Sequence, residues 1–147
     1  MTPLNKGSHH INGAYVEDTA GRPIDLVYPA TGAVVGRLHE ATPAIQEQAL
    51  AGAKAAQADW ARTRPVERGL ILRRAEQHLR ARRDEVARIE TMDTGRAISE
   101  TIYDADGVAD ALEFYAGVIA GYGGSSMQLG DALWYTRREP LGVCVGI

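Results

Sequence analysis

Short apolar clusters separated by turn-forming residues occupy the first forty positions of the chain. Asn12-Gly13 is a tight-turn sequence that precedes an apolar triplet at 14–16, which predicts a first β-hairpin. Apolar residues at 24, 26 and 27 lead into the turn at 29–32, and two valines follow, which predicts a second hairpin. Because isolated hairpins are marginally stable in water, we expect both to pack against other parts of the chain.

From Thr42 onward, apolar residues recur every three or four positions, which is the spacing of an amphipathic helix. Thr42-Pro43 is a favourable helix start, so we predict a first helix from Pro43. We predict a second, longer helix from Pro65 that ends at Gly95, because glycine is common at helix C-termini. The predicted apolar stripes of these helices are Ile45, Ala49, Ala53, Ala56 and Trp60 in the first, and Leu72, Ala75, Leu79, Val86 and Ile89 in the second.

The last third of the chain contains one more predicted long helix and two predicted strands. The segment 97–103 predicts one or two helical turns, and Asp104 is the predicted N-cap of the third long helix. The glycine-rich segment 121–126, "GYGGSS", is predicted to end that helix. Residues 132–138 have the composition of a strand, and residues 143–147 have that of a buried strand.

Composition narrows the class of protein without identifying a function. The chain has 147 residues, a formal net charge of −3 and 45% hydrophobic residues, which fits one globular unit and argues against nucleic-acid binding. Its one cysteine cannot form an internal disulfide, and neither a signal-peptide core nor a membrane-length apolar run is present. We expect a cytoplasmic protein without nucleic-acid or membrane partners.

Most residues capable of chemistry have an ordinary structural explanation. His9 and His10 are adjacent and point to opposite sides of an extended chain, and the other two histidines stand alone, so all four are interpreted as structural or exposed. Cys144 lies in an apolar run and is predicted to be a buried, inert thiol. The segment "GYGGSS" lacks the spacing of a phosphate-binding loop.

Asp93 is the exception, within "ETMDTGRAISET" at 90–101. It falls on the last predicted turn of a helix, where an acid is mildly unfavourable because the carbonyl end already carries partial negative charge. A bound cation or a nearby arginine would offset this repulsion. The alternative is that Asp93 bonds to neighbouring backbone N–H groups or to Arg96.

This segment resembles the E-T-x-D-T-G-[KR] segment of aldehyde dehydrogenases, and the resemblance extends from about Ile11 to Ile147. The other matching segments, in the correct order, are "INGAYVE", "YPATGAVVGRL", "ARTRPVERGLILRRAEQHLRARRDEVARIE", "ALEFYAGVIAGYGG" and "YTRREPLGVCVGI". Within the family, the chain is most similar to betaine aldehyde dehydrogenases.

The resemblance implies an α/β fold, of which this chain would be the N-terminal part: β-hairpins and long helices of a Rossmann-like cofactor domain, with one strand of an oligomerisation arm. Residues 1–125 would belong to the NAD-binding domain and 126–141 to the arm region. Residues 142–147 would be the first, truncated strand of the nucleotide-binding sheet. Homo-oligomer contacts would then lie near Trp134 to Arg138.

The resemblance also implies a reaction and its site. The family oxidises small aldehydes to acids with NAD(P)+, through a nucleophilic cysteine and an activated water. The family's catalytic and cofactor-binding residues lie beyond the matched segments, so we expect none in this chain and an inactive fragment. For a potassium ion, the resemblance assigns the backbone carbonyls of Leu26 and Val27 and the carboxylate of Asp93, a partial ligand set.

Two alternatives remain open. The complete enzyme could act on an amino-aldehyde or on succinate semialdehyde. The chain could also be a non-catalytic module that associates with full-length subunits.

Overall fold

The structure is a computed structural model that describes residues 7–146. Within these residues, three antiparallel strand pairs and four helices follow one another. The elements are β1 (His9–Ile11), β2 (Ala14–Val16), β3 (Pro23–Tyr28), β4 (Ala33–His39), α1 (Pro43–Arg62), α2 (Pro65–Ala81), α3 (Arg83–Thr94), α4 (Ile98–Val118), β5 (Ser126–Leu129) and β6 (Ala132–Tyr135).

Both predicted N-terminal hairpins are confirmed. Asn12 and Gly13 have φ values of 52° and 80°, as a two-residue turn between β1 and β2 requires. Strands β3 and β4 pair across the turn that ends at Gly32, whose φ is 71°. The register shifts between Leu26 and Val27, so that β4 contributes one extra residue, a β-bulge.

Helix α1 begins where its sequence predicts. The Thr42 hydroxyl accepts a bond from the Ile45 amide at 3.4 Å, and Pro43 occupies the first turn. Ile45 is buried at 7% exposure. A Cβ on Gly52 would lie 2.3 Å from the Asn12 side chain, so the helix approaches the first hairpin closely at this point.

Two helix predictions were wrong. The predicted second helix is divided at Arg82 (φ −115°, ψ 15°) into α2 and α3, without a proline or glycine to mark the break. Helix α4 begins at Ile98 rather than after Asp104. Asp104 is not an N-cap, because it lies within α4, where its carboxylate pairs with Arg96. The predicted ends at Gly95 (φ 76°) and before 121–126 are confirmed.

Helices α2, α3 and α4 pack together, and we call them the three-helix unit. Its centre consists of small side chains: Ala87, Ala105 and Ala109 are 0%, 4% and 1% exposed, and Thr101 is fully buried. A Cβ on Gly69 would lie 2.8 Å from the carbonyl oxygen of Ala116, so α2 and α4 cross at close range. Close approach of the backbones, rather than large side chains, therefore fills this core.

Strands β5 and β6 form a third hairpin, which we call the arm hairpin. All four residues of each strand are exposed. Strand β5 was missed by the sequence analysis, and β6 ends at Tyr135, three residues before the predicted end. The bonds that close the hairpin at its base join Ser125 and Thr136.

The predicted strand at 143–147 is not formed over the described residues 143–146, and Ile147 lies outside the described part. Val145 is 74% exposed. A strand needs a neighbouring strand to pair its backbone groups, and the described residues supply none at this position. The apolar composition predicted a strand, but composition alone cannot provide its partner.

The accessible surface is 10998 Å², whereas a monomeric protein of 15.8 kDa exposes about 7,300 Å². Large apolar side chains contribute to the excess on every helix and on the arm hairpin. The most exposed large apolar side chains in the described part of the chain are Val66, Tyr103, Phe114, Tyr115, Tyr122, Leu133, Tyr135, Leu141 and Val145. Within the described residues, no helix is both long and apolar enough to cross a bilayer.

Candidate functional site

The two segments predicted to hold a cation lie next to each other, because α3 packs against β3. At their junction, a Cβ on Gly95 would lie 3.0 Å from the Cβ of Pro29, the residue that follows β3. The left-handed conformation of Gly95 also favours glycine. Asp93 is on the last turn of α3, two residues before this contact.

Leu26 and Val27 lie in β3 on either side of the register shift. The bulge disrupts the regular ladder at this point, and its extra residue belongs to β4. Leu26 is half-buried and Val27 is 44% exposed. Carbonyl oxygens at such a position are suitable ligands for a hard monovalent cation.

The Asp93 side chain is exposed and has no hydrogen bond or ion pair with any described residue. The alternative interpretation, that Asp93 bonds to nearby backbone N–H groups or to Arg96, was therefore wrong. Its carboxylate remains available at the negative end of α3, where a cation is favoured.

Arg96 is instead bound by three other carboxylates. Its guanidinium pairs with Glu90 at 3.4 Å, with Glu100 at 3.4 Å and with Asp104. The hydrogen bond that the Arg96 guanidinium donates to the Asp104 carboxylate is the main cause of a raised pKa for Arg96. We call these three carboxylates the Arg96 clamp. The clamp was not predicted, because Glu100 and Asp104 were not assigned to one continuous helix.

A second charged cluster joins α2 to α4. The Arg80 guanidinium contacts Asp110 at 2.8 Å, Glu113 at 3.4 Å and also Glu76. The bonds to Asp110 and Glu76 raise the pKa of Arg80. Each of the three carboxylates is paired with Arg80, so this cluster is a structural connection between helices.

A third polar cluster connects the first two hairpins. The Glu17 carboxylate accepts a bond from the Ser8 hydroxyl at 2.7 Å and contacts Nδ1 of His39 at 2.8 Å. The neighbouring Asp18 carboxylate accepts a bond from the Thr42 hydroxyl at 2.6 Å. These bonds, led by those from Ser8 and Thr42, lower the pKa values of Glu17 and Asp18.

The remaining candidates offer little chemistry. His10 and His78 are exposed, and no group of three or more potential metal-ligating His, Cys, Asp or Glu residues occurs in the described part of the chain. Cys144 was predicted to be buried but is exposed, because the sheet that would cover it is not formed. Residues 121–126 follow the end of α4 and lack the spacing of a phosphate-binding loop.

Comparisons with known proteins place this geometry in a family. The sequence profile described as "Aldehyde dehydrogenase family" matches residues 15–147. The chain is 54% identical over 141 residues to a betaine aldehyde dehydrogenase of Mesorhizobium japonicum, covering 95% of this chain and 29% of the relative. It is 52% identical over 148 residues to a betaine aldehyde dehydrogenase of Brucella ovis, covering 100% of this chain and 30% of that relative.

Solved structures agree. A Staphylococcus aureus betaine aldehyde dehydrogenase in complex with NAD+ matches with a TM-score of 0.76 and 26% identity, over 82% of this chain and 24% of that one. A protein named PnpE, in complex with nicotinamide adenine dinucleotide, matches with a TM-score of 0.83 and 28% identity, over 90% and 28%. The chain spans about 30% of the length of the curated relatives it matches. The fold is therefore α/β, that of an N-terminal part of these proteins, and the chain belongs to the aldehyde dehydrogenase family.

Proposed function

We propose that this chain is the N-terminal part of an NAD(P)-dependent enzyme that oxidises betaine aldehyde to glycine betaine. The observation that carries the proposal is the identity of 52–54% to betaine aldehyde dehydrogenases over at least 95% of the chain. NAD(P)+ would accept the hydride from the aldehyde in the complete enzyme. We also propose that the complete enzyme is located in the cytoplasm.

The substrate is tested with the product of the complete reading frame. Betaine aldehyde, an amino-aldehyde and succinate semialdehyde are compared by NADH formation at 340 nm. The proposal requires the highest kcat/KM with betaine aldehyde. A higher value with either rival would assign the complete enzyme to that substrate instead.

We propose that the 147-residue chain alone has no dehydrogenase activity. Support comes from the exposed position of Cys144. Among the described residues, its thiol forms one hydrogen bond, to the Gly142 carbonyl oxygen at 3.8 Å, and none to a base. NADH formation by the purified chain should equal that of a Cys144→Ser control. Any NADH formation above that of a protein-free blank would overturn this proposal, and its loss in Cys144→Ser would assign it to that thiol.

We propose the same division of the chain as the resemblance implies. Residues 1–125 belong to the NAD-binding domain, 126–141 to an arm that makes homo-oligomer contacts near Trp134 to Arg138, and 142–147 to the first strand of the nucleotide-binding sheet. The exposure of every strand residue in the arm hairpin supports an intermolecular contact there. The same exposure favours the second candidate, a module that associates with full-length subunits, and co-purification with such subunits tests it.

We propose that Leu26 and Val27, through their carbonyl oxygens, and Asp93, through its carboxylate, contribute ligands to a potassium site. The contact between Gly95 and Pro29 and the unpaired state of Asp93 support this assignment. Exchange of potassium for tetramethylammonium at constant ionic strength should shift the amide resonances of Thr94 and Gly95. Asp93→Asn should abolish the shift, and an unchanged response would remove Asp93 from the site.

A further inference from the structure

We propose that Asp104, Glu100 and Glu90 are positioning residues that hold the Arg96 guanidinium away from Asp93, so that the Asp93 carboxylate stays available to a monovalent cation. This inference rests on the proposed potassium site and explains what keeps one of its ligands, Asp93, free of Arg96. Its basis is the arrangement of four carboxylates and one arginine around the junction of α3 and α4.

Arg96 is the natural competitor for Asp93. Only two residues lie between them in the sequence, and an arginine forms strong paired hydrogen bonds with carboxylates. A guanidinium on Asp93 would neutralise the charge that a potassium ion needs and would occupy its oxygens. Yet Asp93 has no partner among the described residues, whereas Arg96 has three.

The backbone between the two residues helps to separate them. Gly95 turns the chain in a left-handed conformation, and Arg96 follows on the side of α4. The Thr94 hydroxyl accepts a bond from the Arg96 amide at 3.3 Å and donates one to the Glu90 carbonyl at 2.7 Å. These bonds fix the turn without any contribution from the Arg96 side chain.

The clamp draws its members from both helices. Glu90 is on α3, one turn before Asp93, and Glu100 and Asp104 are on successive turns of α4. Asp104 and Glu90 are the more sheltered members, with side chains 37% and 33% exposed, compared with 59% for Glu100. Asp104 also forms the closest of the three contacts with the guanidinium, so its loss should release Arg96 most.

The test uses the 147-residue chain labelled with ¹⁵N and titrated with potassium chloride in place of tetramethylammonium chloride at constant ionic strength. The dissociation constant for potassium is read from the Thr94 and Gly95 amide shifts. Asp104→Asn should weaken potassium binding roughly two- to five-fold, the range of an exposed ion pair. Glu100→Gln should also weaken potassium binding, but by a smaller factor. It replaces Asp104→Asn in the test if that variant does not fold.

Two variants separate the clamp from a general charge effect. Asp110→Asn makes the same change on α4 but releases Arg80, so potassium binding should be that of the wild type. Combining Asp104→Asn with Arg96→Gln removes the competitor and should restore the affinity to that of Arg96→Gln alone. A destabilised helix junction would not be rescued in this way.

The outcomes distinguish the two proposals. If the wild-type chain does not respond specifically to potassium, the proposed site fails, and the clamp fails with it. If the wild type responds and Asp104→Asn responds equally, the clamp alone is overturned. A double variant that stays as weak as Asp104→Asn would also overturn it, because the loss would not pass through Arg96.

Discussion

The three-helix unit and the arm hairpin are built in opposite ways. In the three-helix unit, Ala87 and Thr101 are completely buried, and Arg80 and Arg96 connect neighbouring helices through ion pairs. In the arm hairpin, every strand residue is exposed, although Met127, Leu133 and Trp134 are apolar. Of the two regions, only the three-helix unit buries apolar residues within this chain.

This difference indicates which parts of the chain are held by their own contacts. An isolated two-stranded hairpin is marginally stable in water, whereas three packed helices bury surface against one another. The large exposed apolar surface extends to the outer faces of the helices, for example at Phe114 and Tyr115. Three predictions test this contrast, and a fourth tests the polar cluster between the first two hairpins; they follow in order of expected effect.

The largest effect should come from Gly69→Ala. The added Cβ would meet the Ala116 carbonyl oxygen at 2.8 Å and a methyl group of Ile119 at 3.2 Å, so α2 and α4 would have to separate. After the gain in helix propensity, we expect a net loss of about 1–2 kcal/mol in the free energy of unfolding, measured by urea denaturation. Gly107→Ala is the matched control, because its Cβ meets no atom within 4 Å. It should stabilise by up to about 1 kcal/mol, and equal effects of the two variants would contradict the close crossing.

Thr101→Val should have the next largest effect. The fully buried Thr101 hydroxyl donates to the Ile98 carbonyl at 3.1 Å and contacts the Thr91 hydroxyl at 2.9 Å. Its removal leaves the Thr91 hydroxyl without this partner, and we expect a loss of about 1 kcal/mol in the same measurement. Adding Thr91→Val should recover part of that loss. Strictly additive effects would show that the two hydroxyls do not act as a pair.

A smaller effect should appear as the pH is lowered. The ordinary pKa values of 4.5 for Glu17 and 3.8 for Asp18 are lowered in the folded chain. Their contribution to stability is therefore complete above those values and is lost as the pH falls through the lowered folded values. Between pH 6 and pH 3, Glu17→Gln should lose less stability than the wild type, as read from the urea midpoint. The same pH dependence in both proteins would rule out Glu17 as a contributor.

The smallest effect on stability should come from the arm hairpin. Leu133→Thr retains β-propensity and changes a side chain that is 65% exposed, so the free energy of unfolding should change by no more than about 0.5 kcal/mol. Self-association, followed by sedimentation velocity, should decrease, because apolar surface is removed from the hairpin. A loss of stability above about 1 kcal/mol would show that Leu133 is buried within the chain.

Local sequence patterns predicted much of the fold. Asn12-Gly13, Thr42-Pro43 and Gly95 each determine their own backbone geometry, and all three predictions are confirmed. The break at Arg82 was missed because no residue there is a strong helix breaker. Strand β5 was missed because its four residues, "SMQL", carry little strand preference, and it forms by pairing with β6.

The site was predictable to a lesser extent, since it depends on contacts between distant segments. The resemblance assigned Asp93, Leu26 and Val27, but only the structure shows that α3 packs against β3. The Arg96 clamp has a recognisable pattern, because Glu100 and Asp104 follow Arg96 at intervals of four residues. That pattern becomes visible only if the helix is extended back to Ile98. The predicted burial of Cys144 and the predicted strand at 143–147 both require a neighbouring strand. Apolar composition does not show whether such a strand is present.

Amide hydrogen exchange on the 147-residue chain tests the contrast most directly. Amides between Thr101 and Ala109 on α4 should exchange at least about a hundred-fold more slowly than those of Met127 and Leu133 in the arm hairpin, each relative to its unstructured rate. Comparable protection in both regions would contradict the account, because the arm hairpin would then be as firmly held within this chain as the three-helix unit.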